Sequence, residues 1–376
     1  MQMLIFTGSA GGATATAAAA TAAAAAAAGS RAMIASIGPS HSAGAMSNIG
    51  PSGAPQLIAP GLTLWSLDAL DDLGALWGTL RVRTSLPGPP LSGEELPLIP
   101  GSDLFLAVAR LRHFAASYDL ICVDAGQHDG LLRALGVPDT FRWLLRLLIG
   151  LDRGPGRSSA SQARALMPAA LIPSDWIGTV QNARVQLEHL RSEVLDPAQT
   201  RVRYVLRPDR GGLGEALLAL PALQLFGLSV EQLIIGPLLP EGHAALAPML
   251  AEQRQVMADA AQVWGQLPLR RMDAAATPDD ASGMAVIGAA IYAGGGPLPG
   301  PASQPPLRVI GQPDPHVAID LPGLHREALG LTVSGDELIV RVGPYRRHIL
   351  MPEGLRGTAI RAARQGDTLI IRSRER

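Results

Sequence analysis

"TGSAGGATATAAAATAAAAAAAGS", residues 7–30, follows the short apolar run "MQMLIF" and decides how the chain is read. A strand, a Gly-rich turn and then a helix is the form of a phosphate-binding loop. Such a loop ends in Gly-Lys-Ser/Thr, and its lysine reaches the β/γ-phosphates. No lysine stands here, and none stands anywhere else, because all 31 basic residues are Arg. The Ala run itself has three readings. A signal peptide needs a basic start, but no basic residue precedes Arg31. A membrane span needs about 20 strongly apolar residues, and Ala and Thr are weak material for one. The remaining reading is a soluble helix packed very closely against a sheet, because Ala is the best helix former and has almost no girth.

The rest of the chain sets the frame for that loop. A length of 376 residues predicts two or three domains, each with its own core. The net charge of −1 favours neither a nucleic-acid partner nor a polybasic membrane contact. A single cysteine, Cys122, excludes an internal disulfide and a paired-cysteine zinc clamp. It lies in the apolar run "YDLICVDAG", where a buried thiol fits a reducing cytoplasm.

Apolar runs at 32–40, 62–68, 119–126, 200–208 and 230–240 read as strands. Helical spacing fills 103–118, 176–195, 213–227 and 243–267. This alternation predicts an α/β fold, a parallel sheet flanked by helices. The Leu-rich stretch 141–172 lies outside it and begins a helical insert over about 141–195. "GGGPLPGPASQPP", residues 294–306, is a linker by composition. After it the period becomes two, with turns at Gly-Asp and Pro-Gly, which predicts a small antiparallel β-domain over 307–376. That domain carries 11 Arg against 8 acids, net +3, while the remainder is −4.

The order of these elements resembles the arsenite-pump (ArsA-type) ATPases and their relatives that target tail-anchored membrane proteins. The resemblance spans roughly 1–292 and rests on five stretches in order. "GSAGGATAT" (8–16) stands at the deviant Walker loop, which has the form GKGGVGKTT in that family. "IGPSHS" (37–42) stands at switch I, and "YDLICVDAGQHDGLLRALGVP" (118–138) at switch II. "IIGPLLPE" (234–241) is similar to the adenine loop, and "MAVIGAAIYAG" (284–294) to the closing motif. Residues 307–376 resemble a small-heat-shock (α-crystallin) β-sandwich, which some ArsA-like proteins carry at this end. The resemblance therefore implies a deviant Walker P-loop domain over 1–293 and a β-sandwich after the linker.

The departures from that family bear on chemistry. The signature lysine near the loop start is Ser9, the second loop Gly is Ala13, the phosphate lysine is Thr14 and the magnesium-binding hydroxyl falls on Ala15. With a gap of one residue, Ala13 takes the lysine position and Thr14 the hydroxyl, and neither register yields a cation. The switch I Asp is Gly38, and the adenine-loop Asn is Gly236. Phosphoryl transfer depends on positioning and on neutralising the γ-phosphoryl charge. Of the groups that do so, Asp124 remains.

The candidate phosphate-loop residues are thus Gly8, Ser9, Gly11, Gly12, Thr14 and Thr16, and Asp124 is the catalytic candidate if the site is active. The alternative for the glycines is a tight strand-to-helix turn, and for Asp124 a strand-end carboxylate bonded to the loop. His41 and His128 are a possible metal pair or merely exposed polar residues. Ser9 and Ser42 lack an evident base. The leading functional expectation is a pseudo-ATPase with no cofactor, a chaperone-like or scaffolding protein for a hydrophobic client or membrane-protein segment. The resemblance adds a homodimer. The alternative is a divergent ATPase that binds Mg-ATP with Arg31 or Arg133 in place of lysine. Further expectations are a cytoplasmic location, no nucleic acid and no integral membrane span. The apolar surface at 141–172 is the expected working face. The other reading makes Trp143, Leu144, Leu147, Leu148, Met167 and Leu171 ordinary core.

Overall fold

The computed structural model of the chain describes residues 1–9, 11–37, 42–46, 48, 50–84, 91–96, 101–150, 166, 174–274, 280–301 and 304–374. Strand β1 (Gln2–Gly8) sits near the middle of an eight-stranded sheet. Its companions are β2 (Ala32–Ser36), β3 (Gln56–Ala59), β4 (Leu62–Ser66), β5 (Leu120–Gln127), β6 (Thr200–Leu206), β7 (Val230–Leu238) and β8 (Leu269–Asp273). The order is β3-β4-β2-β5-β1-β6-β7-β8, parallel throughout except that β3 runs against β4. The parallel strands are buried on both faces, which is why they read as continuous apolar runs. The edge strands β3 and β8 give no such signal. Residues of β3 are exposed or half-buried, and β8 carries Arg270 and Arg271.

The Ala-rich segment is helix α1 (Gly11–Ala27), and nearly every side of it is covered. One side lies on β1, β2 and β5. The other meets the last helix of the domain, α9 (Ala281–Ile291). Ala15, Ala17, Ala18, Ala19, Ala20 and Ala22 have no exposed surface. The helix packed closely against a sheet, one of the readings of the sequence, is the one observed. Among the described residues no helix is long and apolar enough to cross a membrane.

The other helices are α2 (Ser42–Met46), α3 (Ala69–Thr84), α4 (Ser102–Phe114), α5 (His128–Ile149), α6 (Ser174–Val194), α7 (Arg210–Leu225) and α8 (Ala247–Val263). Of the segment that interrupts the alternation, residues 141–149 do not form a separate helix. They continue α5, which starts directly after β5 and runs 22 residues through Pro138. Residues 151–165 and 167–173, including Met167 and Leu171, lie outside the described residues. Burial pushes the Cys122 thiol up to about 12, so it remains protonated at neutral pH.

After the linker come seven strands in two antiparallel sheets. One holds β9 (Leu307–Ile310), β10 (His316–Asp320), β14 (Ile360–Gln365) and β15 (Thr368–Ser373). The other holds β11 (Leu329–Ser334), β12 (Glu337–Val342) and β13 (Tyr345–Leu350). The alternating side chains of β10 and β12 form a core that continues into α7: Val317, Ile319, Leu338 and Val340 belong to one cluster with Leu220 and Leu223. The strands pair only among themselves, yet one buried face is shared. A fragment of residues 307–376 is therefore expected to fold alone, with a β-type far-UV spectrum, but to melt well below the full chain. A disordered spectrum at neutral pH would refute a self-sufficient unit.

Candidate functional site

The site lies where β1, β5 and β6 end together and α1 begins. Parallel strands deliver all three carboxyl ends to one edge of the sheet, which is where ligands of open α/β sheets bind. Gly8 pairs with Val205 of β6 so closely that a Cβ would lie 2.0 Å from the Val205 carbonyl oxygen. Only glycine fits there. Gly11 and Gly12 open α1, with Gly12 exposed.

Thr14, which takes the position of the phosphate lysine in one register and of the magnesium-binding hydroxyl in the other, points inward rather than out. It has no exposed surface, and its hydroxyl donates between the Gly11 carbonyl (2.5 Å) and Asp124 Oδ1 (3.0 Å). Asp124 Oδ1 also accepts from the Gly126 N–H at 3.2 Å. The carboxylate, 2% exposed, thus ties the first loop to the end of β5, as in the strand-end reading of this residue. Thr16 Oγ1 donates back to the Gly12 carbonyl at 3.3 Å. The Ser9 hydroxyl accepts the Arg207 N–H at 3.0 Å.

The residues of switch I from Gly38 to His41, and with them the His41–His128 pair, lie outside the described residues. His128 is not an exposed residue. It is buried, with Nδ1 3.1 Å from the Gly8 carbonyl and Nε2 3.7 Å from Asp129. Tyr204 reaches the same ring at 3.5 Å. Among the described residues no cluster of three or more metal-ligating side chains forms. Gly236 lies within β7 rather than in a loop.

Of the two cations proposed from sequence, Arg31 is elsewhere. Arg31 precedes β2 and pairs with Asp119 at 2.7 Å, at the opposite end of the sheet from the loop. Its guanidinium holds the Asp119 carboxyl down, to about 2. Arg133 is exposed on α5 and lies 3.9 Å from Asp129. The guanidinium at the loop belongs instead to Arg207, just after β6. Its Nη1 is 3.4 Å from the Ser9 carbonyl, Nε is 2.5 Å from Asp209, and Nη2 is 3.6 Å from Glu215. Sequence distance hides this residue, 198 positions from Ser9. The signal is "LRPDRGG" (206–212), a second strand–turn–helix junction, once β6 is known to flank β1.

The sandwich also reaches the site. The Tyr345 hydroxyl donates to Asp129, the residue beside His128. Burial and then Asp129 push the Tyr345 phenol above its ordinary value, so it stays a donor. Tyr345–Asp129–His128–Gly8 is therefore a continuous polar chain from the C-terminal domain to the loop.

The sequence pattern of the family described as "Anion-transporting ATPase" matches residues 1–272. A second, described as "HSP20-like domain found in ArsA", matches residues 315–372. An uncharacterised protein of Streptomyces coelicolor is 32% identical, over 99% of this chain and 97% of its own. A Chlorobaculum tepidum protein, provisionally named an arsenical pump-driving ATPase, is 24% identical over 95% of this chain and 92% of its own. A Mycobacterium tuberculosis protein is 28% identical over 98% and 95% respectively.

Proposed function

Because the chain belongs to the anion-transporting ATPase family, we propose that it is a pseudo-ATPase of that family whose working surface is apolar. The single observation that carries this reading is the start of α1: neither register places a cation at the lysine position, and Thr14 is a short, buried hydroxyl bonded to Asp124. The residues present do not fit Mg-ATP. Asp124, the candidate for the metal, is engaged by Thr14 and Gly126. Arg207 comes nearest to replacing a lysine, but Asp209 and Glu215 already hold it. What remains is the partial charge of the α1 N-terminus, about half a unit. The divergent-ATPase alternative is thereby left without Arg31, and the guanidinium that contacts the loop is that of Arg207. Phosphate release at millimolar Mg-ATP is expected to stay at background. Turnover above about 1 per second, near the bottom of the usual enzyme range, that vanishes in Asp124→Ala would overturn the reading.

The apolar face supports a chaperone-like or scaffolding role. Trp143 (52% exposed), Leu144 (44%) and Leu148 (39%) stand outward on α5, while Leu145 between them is buried. Contiguous exposed apolar surface in a folded protein marks an interaction site. Replacing Leu144 and Leu148 by Ser is expected to leave the melting temperature within a few degrees while weakening suppression of a model client's aggregation. A collapse in melting temperature would make both residues core, since buried Leu truncations cost about 2–5 kcal/mol each.

A further inference from the structure

Between the helical layer and the sandwich lies a cavity of about 1260 Å³. Leu76, Phe105, Leu106, Val137 and Leu144 give it apolar walls on α3, α4 and α5, and Ile339 of β12 closes the opposite side. It follows α5 from Leu132 to Arg146, which is about 21 Å at 1.5 Å per residue. A single extended acyl chain matches the length and fits within the volume.

The charges on the cavity have a sign. Its carboxylates are already paired: Asp72 with Arg110 at 3.2 Å, Asp139 with Arg191 at 3.1 Å, and Glu337 with Arg142 at 3.6 Å and His348 at 2.9 Å. Two of the guanidiniums, those of Arg346 and Arg133, are not matched in the same way. Arg346 lines the cavity on β13 and has no ion-pair or hydrogen-bond partner among the described residues. It stands directly opposite Arg341 in the β12–β13 register, a like-charge pair that costs stability unless an anion lies near it. Arg133 lines the cavity from α5, 71% exposed and only loosely paired with Asp129.

We propose that this cavity binds a monomeric anionic amphiphile, with the acyl chain along α5 and the carboxylate or phosphate headgroup on Arg133 and Arg346. The inference rests on α5 being the working surface and names what that surface holds.

The test is calorimetric titration of the delipidated full chain with dodecanoate below its micelle threshold. Dodecyltrimethylammonium serves as the same chain with a cationic head, and phosphatidylglycerol vesicles as the membrane arm. Dodecanoate is expected to bind one per chain, to blue-shift Trp143 emission, and to bind about tenfold or more tighter than the cationic amphiphile, the factor of a charge-assisted hydrogen bond. Arg133→Ala with Arg346→Ala, both at exposed positions, should remove that preference while keeping the fold. Equal affinity for the two heads, an unchanged preference in the Arg variant, or binding to vesicles without binding of the monomer would each overturn the proposal. If the chain suppresses client aggregation but binds no dodecanoate, this inference falls and the holding function stands. If dodecanoate binds and no client is held, the reverse is true.

Discussion

Gly288→Leu is expected to be among the most destabilising single changes in this protein. A Cβ at Gly288 of α9 would lie 2.2 Å from the Ala20 carbonyl oxygen and 2.8 Å from the Ala24 Cβ of α1. The obstacle is largely backbone, and α1 is itself wedged against the sheet, so no rotamer change relieves it. Overpacking a core costs about 1–3 kcal/mol when side chains can move, and more when they cannot. A loss of about 3 kcal/mol or more is a large part of a total of about 5–15. At about 2–4 °C per kcal/mol the melting temperature should fall by roughly 6–12 °C. Val286→Leu is the control. It lies on the same helix but is 70% exposed, and should change nothing measurable. Equal melting temperatures for the two variants would show that α1 and α9 are not in close contact.

Glu231→Ala is expected to cost as much, by a different mechanism. Glu231 Oε1 lies 2.8 Å from Arg203 Nε, and Oε2 is 3.5 Å from Arg201 and accepts from the Gly300 N–H at 3.3 Å. Arg203 is 2% exposed and also donates to the Tyr292 hydroxyl at 2.8 Å, which in turn meets Thr21 of α1 at 2.7 Å. Burial disfavours the Arg203 charge, and Tyr292 and Glu231 more than offset it. Removing the carboxylate leaves two buried guanidinium charges with only neutral oxygens beside them, the Pro197 and Gly300 carbonyls at Arg201 and the Tyr292 hydroxyl at Arg203. Breaking one partner out of a buried pair costs about 3–5 kcal/mol. Denaturant unfolding of the variant measures this directly. A change below about 1 kcal/mol, the scale of exposed pairs, would mean that the guanidiniums find other partners or water. Asp119→Ala, which breaks the solvent-exposed pair with Arg31, should have a much smaller effect.

The order of elements, the parallel α/β layer and the antiparallel tail were legible in the sequence because each is a local pattern. Buried parallel strands need unbroken apolar runs, as at Leu120–Val123, and a two-sheet sandwich needs alternation, as in Glu337–Val342. The edges β3 and β8 were not legible, because an edge strand buries little and therefore selects no apolar run. The missing lysine was equally plain. Chemistry that depends on a residue type can be read wherever the type is absent.

Which groups stand beside the loop was decided by tertiary structure alone. Sequence proximity pointed to Arg31 and Arg133, whereas the strand order puts β6 beside β1 and so brings Arg207 to Ser9. The sequence leaves His128 as half of a metal pair or as exposed polar surface, but the start of α5 directly after β5 buries it against Gly8. Tyr345 meets Asp129 across 216 positions of chain because the sandwich packs on α5 and α7. A sequence states which side chains exist and which local pattern each belongs to. Contacts between remote segments depend on how layers stack, and that is settled by the burial of whole faces rather than by any single motif.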